Sequence, residues 1–308
     1  MTDYIIIDAH AHLWLAQDAV VEGRRICSLR DGKASFMGEI RQMMPPYMTD
    51  GRNTAEIFLA NMDYARVAAA VVTQEYIDGS QNVYLREVQA AYPERFLCCG
   101  LVDARRPGYL QEAEQLIAQG FGAVKLPAGR LITAEGRVRL TCPEMMAMFR
   151  RMEERDILLS VDLADGALQV EEMEEVVAAF PGLRIAVGHF GMVSRPGWQE
   201  QIRLARHPNV RIESGGITWL FHSEFYPFAG AVRAIREAIA LVGIEKLMWG
   251  SDYPRTMVAI TYRMSYDFIL RSPLLDDEEK RLFLGGNARS FYRFGALPEL
   301  PYIKNMLE

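Results

Sequence analysis

Two histidines one residue apart, His10 and His12, close an apolar run that begins Ile5-Ile6-Ile7-Asp8-Ala9. In a strand, residues two apart share a face, so Asp8, His10 and His12 are expected on one side and Ile7, Ala9 and Ala11 on the other. Two imidazoles converging from one rigid strand suit a divalent metal such as zinc. The bland alternative is a pair that only hydrogen-bonds within a packed core. The chain has five histidines, and two of them sit in this motif. A third, His189, lies between glycines in Gly188-His189-Phe190-Gly191, which lets a ligand approach closely. Asp252, in Trp249-Gly250-Ser251-Asp252-Tyr253-Pro254, reads either as a reactive carboxylate or as a turn former.

The elements that would position these groups follow a regular rhythm. Short apolar strands end near His12, Thr73, Val102, Leu126, Leu163, His189, Ser214 and Asp252, and helical patterns separate them. Strands apolar throughout and alternating with helices imply a parallel sheet covered on both faces. Eight such units in a chain of 308 residues fit a (β/α)8 TIM barrel in one domain spanning 1–308. A doubly wound sheet is the alternative, but no G-x-G-x-x-G follows the first strand. Residues 14–53 read as a long irregular insertion after strand one, either a functional loop or surface decoration by a short helix or hairpin. The last helices are expected over Thr261–Leu270, Asp276–Leu284 and Asn287–Tyr292.

In such a barrel the chemistry sits where the strands end. Polar groups recur there: His10 and His12, Lys125, Asp162, His189, Glu213 and Asp252. Charges in a barrel interior are costly unless paired or metal-bound, so this many are hard to read as packing. Taken singly, Lys125 reads equally as a salt-bridged core lysine, and Glu213 is expected to face the helices. His207 precedes a strand and is expected at the opposite end of the barrel as a structural residue. His222 falls in the aromatic-rich loop after strand seven and is a candidate substrate contact.

Composition narrows the classes. The net charge is −6 with both signs interleaved, which argues against a nucleic-acid binder. No stretch of about 18 apolar residues spans a membrane. Cys27, Cys98, Cys99 and Cys142 show no C-x-x-C spacing and read as reduced thiols. The N-terminal apolar run is too short for a signal peptide, so a cytoplasmic protein acting on a small molecule is expected, as a monomer or a homo-oligomer.

Together, D-A-H-A-H at 8–12, G-F-G-A-V-K-L at 120–126, P-G-L-R-I-A-V-G-H-F-G at 181–191, L-M-W-G-S-D-Y-P at 247–254 and G-G-N-A-R-S-F-Y at 285–292 resemble the amidohydrolase superfamily, in its amidohydrolase-2 or ACMS-decarboxylase-like branch. The resemblance implies a divalent metal, often zinc, on His10, His12 and Asp252. It also implies a fourth ligand, a histidine, at the end of strand five, where this chain carries Asp162. Asp162 either supplies an oxygen ligand instead or leaves the metal weakly held. The strand-five aspartate is similar to the lactonase-type members, some of which look metal-independent. The reading is therefore a metal-assisted hydrolase opening a lactone or similar ester of a small anionic or polyhydroxylated substrate. Asp252 serves as general base, His189 stabilises the oxyanion, and Lys125, Arg130, Arg255 and His222 bind substrate. The alternative is non-oxidative decarboxylation of an aromatic or unsaturated acid. A non-catalytic barrel that binds a small molecule is the third reading.

Overall fold

A computed structural model describes residues 4–134, 136–300, 302–304 and 306. The first strand, β1 (Ile7–His12), is followed by an antiparallel meander of β2 (Asp18–Val21), β3 (Arg24–Ser28), β4 (Lys33–Phe36) and β5 (Glu39–Gln42). Then come β6 (Ala69–Thr73), β7 (Phe96–Leu101), β8 (Ala123–Leu126), the hairpin of β9 (Ile132–Thr133) and β10 (Gly136–Arg137), β11 (Leu158–Val161), β12 (Ile185–Val187), β13 (Val210–Glu213) and β14 (Leu247–Met248). Among the described residues the large sheet runs β1-β6-β7-β8-β11-β12-β13-β14, with neighbours parallel. It closes on itself beyond β14. Ala9 N donates to Trp249 O, Asp252 N to His10 O and His12 N to Tyr253 O, at 2.8–2.9 Å. This is the (β/α)8 barrel that the strand–helix alternation predicts.

The crossover helices are α1 (Ala55–Ala65), α2 (Asn82–Ala91), α3 (Tyr109–Ala118), α4 (Pro143–Glu154), α5 (Val170–Ala179), α6 (Trp198–Arg203), a short α7 (Ile217–Leu220), α8 (Ala229–Val242) and α9 (Met264–Arg271). Their apolar faces repeat at helical spacing, as with Ala231, Ala234, Ile235 and Ala238 of α8, and bury against the outer face of the barrel. The helix expected over Asp276–Leu284 is shorter. α10 (Asp277–Arg281), whose Asp276 and Glu279 form a reciprocal capping box, passes through a π-helical turn at Leu282–Gly286 into α11 (Asn287–Tyr292). Phe291 and Tyr292 of α11 pack against the apolar interior formed by Ile7, Ala9, Val71 and Met248. That plugs the end at which the strands begin and leaves the other end for the site.

Two expectations are corrected. The stretch after strand one is not irregular: it is the β2–β5 meander. Glu22-Gly23 and Met37-Gly38 each join two strands with both residues at positive φ, the geometry of a tight two-residue hairpin turn. The excursion is pinched shut where Trp14 and Asn53 exchange backbone hydrogen bonds. Nor does Asp8 share a face with the histidines. The register of β1 against β6 shifts between Asp8 and Ala11, so a bulge places Ala9 and His10 on the same side. Ile7 and Ala9 therefore join the barrel interior, while Ala11 packs outward. Asp8 accepts hydrogen bonds from Ser251 N, Ser251 Oγ, Tyr262 OH and His10 N, tying β1 to the segment that closes the barrel. Burial raises its carboxyl to about 6 in spite of those donors.

Candidate active site

His10 and His12 point their Nε2 atoms at each other, 3.0 Å apart. Each ring is fixed from behind by a buried carboxylate. His10 Nδ1 donates to Glu213 Oε1 at 2.7 Å and His12 Nδ1 to Asp78 Oδ2 at 3.0 Å. An ionised carboxylate only accepts, so Nδ1 carries the proton in both rings and both Nε2 atoms present lone pairs. Two lone pairs at this separation repel unless a cation or a proton lies between them. Asp252 completes the group: its Oδ1 is 3.1 Å from His12 Nε2 and 3.8 Å from His10 Nε2. The angles at the 3.1 Å approach are not those of a hydrogen bond, and buried Oδ1 has no hydrogen-bond partner among the described residues. Its sister oxygen Oδ2 accepts from Trp219 Nε1 at 2.8 Å. Two imidazole nitrogens and one orphaned carboxylate oxygen within 4.8 Å of one another are a donor set for a divalent ion.

The charges agree with that. Burial opposes the ionised form of Asp78, Asp162, Glu213 and Asp252, yet neighbouring cations and imidazoles hold all four below their ordinary range. Asp78 is held at about 2, chiefly by Arg255 and His12. Lys125 pairs with Asp162 Oδ1 at 2.6 Å, and Arg255 pairs with Asp78 Oδ1 at 2.5 Å while lying 3.6 Å from Asp252 Oδ1. Four carboxylates thus face Lys125, Arg255 and the protonated His189, so the group keeps a net negative charge, which favours a cation. Of the two β1 histidines, burial lowers His10. For His12, burial and Arg255 act in the same direction but are outweighed by Asp78 and Asp252, which raise it. The described residues fit a divalent cation.

His189 lies beside this group, its ring 4.6 Å from that of His10. Its Nδ1 donates to Gly215 O at 2.9 Å, and its Nε2 stands 3.6 Å from Asp162 Oδ2. Burial works against protonation, but the Asp162 carboxylate prevails and raises His189 to about 10. Gly188, just before it, has no room for a side chain: a methyl there would overlap the Asp162 and Glu213 carboxylates. Both His189 and Asp252 sit in left-handed backbone, with φ of 56° and 59°. Such strain costs about 1–3 kcal/mol per residue and gathers at working sites.

The site residues named from sequence are distributed unevenly. His10, His12, Asp252 and His189 come together at the mouth of the barrel. Asp162 stands outside the His10–His12–Asp252 trio, grouping instead with His10 and His189, and one of its oxygens is taken by Lys125. Lys125 is fully buried beneath that pair rather than open to solvent. Arg255 is wedged between Asp78 and Asp252. Arg130 is a third exposed and reaches Glu75 at 3.1 Å. His222 is exposed, and its Nδ1 donates to Trp219 O within its own loop. Glu213, expected to face the helices, is instead at the centre, accepting from His10 Nδ1, His189 N and Gly215 N. His207 lies away from the mouth and contacts Glu174 at 2.5 Å.

Two residues escaped sequence reasoning. Asp78 belongs to a short 3₁₀ turn, Tyr76–Asp78, after β6, and Trp219 lies on α7 after β13. The signal for Asp78 is the reciprocal cap it forms with Glu75, a motif confined to residues 75–78 inside a loop. Trp219 carries no local signal.

Comparison with known proteins gives the family and the fold. A profile of the amidohydrolase family matches residues 7–294. The uncharacterised protein y4mH of Sinorhizobium fredii is 27% identical over 316 residues, covering 95% of this chain and all of that protein. Among solved structures, a probable 2-pyrone-4,6-dicarboxylic acid hydrolase from Acinetobacter baumannii, with citric acid bound, superposes with a TM-score of 0.67 at 20% identity over 94% of this chain and 99% of its own. An amidohydrolase from Burkholderia multivorans with bound zinc has a TM-score of 0.67 at 17% identity, covering 96% of this chain and all of that one. The 5-carboxyvanillate decarboxylase of Novosphingobium aromaticivorans, with manganese, has a TM-score of 0.56 at 17% identity, covering 78% and 80%. At these identities the structural likeness is one of fold. The match over residues 7–294 is one of family: the chain belongs to the amidohydrolase family, in its amidohydrolase-2 branch.

Proposed function

We propose that the protein is a metal-assisted hydrolase that opens a lactone or similar ester of a small anionic or polyhydroxylated substrate. The observation that carries this is the pair of facing Nε2 atoms beside the orphaned Oδ1 of Asp252. His10, His12 and Asp252 hold the ion, with zinc the first candidate. When bound, a divalent ion there supplies the positive charge that acidifies a nearby water and polarises a carbonyl. Asp252, kept ionised, accepts the proton of the attacking water. His189, kept protonated by Asp162, donates through Nε2 to the carbonyl oxygen as it gains charge. The acyl C–O bond then breaks, and the proton held by Asp252 passes to the departing alkoxide.

Arg130 is the group for the substrate's anionic end, since arginine pairs bidentately with a carboxylate. Arg255, already engaged by Asp78 and close to Asp252, contributes its charge to that end rather than a bidentate pair. His222 borders the entrance. Lys125 acts at one remove, by keeping Asp162 ionised under His189. Asp162 thus supports His189 rather than serving as a fourth ligand, and this favours hydrolysis over decarboxylation. The second reading, decarboxylation of an aromatic or unsaturated acid, is favoured by the same protonated His189, an acid able to protonate carbon. The chain is read as one domain working on a small molecule in the cytoplasm. Among the described residues no helix is long and apolar enough to cross a membrane.

The test is a panel of lactones and aromatic carboxylic acids, followed by ring opening and by release of carbon dioxide. Ring opening that disappears in Asp252→Asn is the expected result. Carbon dioxide release without ring opening selects the second reading.

A further inference from the structure

Trp219, on α7 after β13, and Asp252, in the segment after β14, meet through one hydrogen bond, indole Nε1 to Asp252 Oδ2 at 2.8 Å. A terminal carboxylate torsion is broad and nearly two-fold, so an untethered carboxylate exchanges its oxygens freely. Among the described residues the indole N–H is the hydrogen-bond donor that breaks this symmetry. It occupies Oδ2 and leaves Oδ1 turned toward His10 and His12 with no hydrogen-bond partner. The indole nitrogen is a donor only, so it neither accepts a proton nor competes for a cation. The ring itself is well placed to hold its aim. Gly216 adopts a left-handed φ of 73°, and a side chain there would overlap the indole nitrogen. The ring also meets His189 edge-on, with centroids 6.3 Å apart.

We propose that Trp219 is the positioning residue of Asp252: by holding Oδ2 it presents Oδ1 to the His10–His12 pair and so sets the affinity of that trio for a divalent ion. This rests on reading the trio as a cation site and is independent of the substrate. Partners that orient metal ligands in this way are worth about 10–100-fold in affinity.

Zinc ion alone is the probe, titrated into metal-stripped full-length protein in competition with a chromophoric chelator. Trp219→Phe keeps an aromatic ring and removes the N–H. The expected result is about 10–100-fold weaker zinc binding with an unchanged circular dichroism spectrum. Trp219→Gln, which returns an N–H donor without an imidazole ligand, is expected to recover part of the loss. Zinc should also perturb a component of the tryptophan emission that is missing from Trp219→Phe. If Trp219→Phe does not fold, Trp219→Leu, which also lacks a donor, carries the same measurement. Zinc affinity within twofold of wild type in the folded variant overturns the role of Trp219 and leaves the cation site standing. Wild-type protein that binds no zinc overturns both.

Discussion

His10 Nε2 and His12 Nε2 lie 3.0 Å apart, each ring pinned from behind by a different carboxylate, Glu213 for one and Asp78 for the other. Neither carboxylate is near the histidines in sequence. The chain spends two buried negative charges on aiming two lone pairs at one point, an arrangement with little purpose unless something positive occupies that point.

Protein purified without added metal should therefore carry about one divalent ion per chain. Elemental analysis checks this, and His10→Ala combined with His12→Ala should carry none. Full activity after exhaustive chelation, with no metal detected, would remove the ion from the mechanism.

Glu213→Gln and Asp78→Asn keep side-chain size and hydrogen-bonding capacity but lose the charge that fixes each imidazole. Each should weaken metal binding or lower kcat by about 10–100-fold. A chelator competition for affinity and steady-state kinetics for turnover read the two effects separately. Variants as tight and as fast as wild type would show that the imidazoles need no such anchoring.

Gly188 is where the Asp162 and Glu213 carboxylates leave no space for a methyl. Gly188→Ala should lower stability by about 1–3 kcal/mol, read by urea unfolding, and reduce activity by displacing both carboxylates. Gly295→Ala is the control: its Cβ would meet nothing within 4 Å, and it should match wild type in both measurements.

Lys125 is fully buried against Asp162. Removing one partner strands a charge, so Lys125→Met should cost about 3–5 kcal/mol. Lys125→Met with Asp162→Leu replaces the pair by apolar groups and should recover most of that loss, while activity stays low because His189 loses its carboxylate. A double-mutant cycle in urea measures the coupling, and additive losses would show that the pair does not act as a unit.

The chain's local pattern determined the barrel. Apolar strands such as Ala69–Thr73 can only be buried on both faces, and a helix after each makes the sheet parallel. The same pattern put His10, His12, His189 and Asp252 at strand ends, because a two-residue period and a strand's last residue are local properties. The meander after β1 was legible in principle, since Lys33-Ala34-Ser35-Phe36 and Glu39-Ile40-Arg41 alternate on either side of Met37-Gly38, but neither Glu22-Gly23 nor Met37-Gly38 is the Asn-Gly or Asp-Gly pair that marks a two-residue hairpin turn.

What only the tertiary structure decided is the company these residues keep. The bulge that turns Asp8 away from His10 depends on pairing with β6. Glu213 reaches His10 across 203 residues of sequence, Asp78 reaches His12 across 66 and Trp219 reaches Asp252 across 33. Such contacts have no period and no local signature. They exist because barrel closure brings all the strand ends to one mouth, where a buried charge persists only if a partner from another strand meets it.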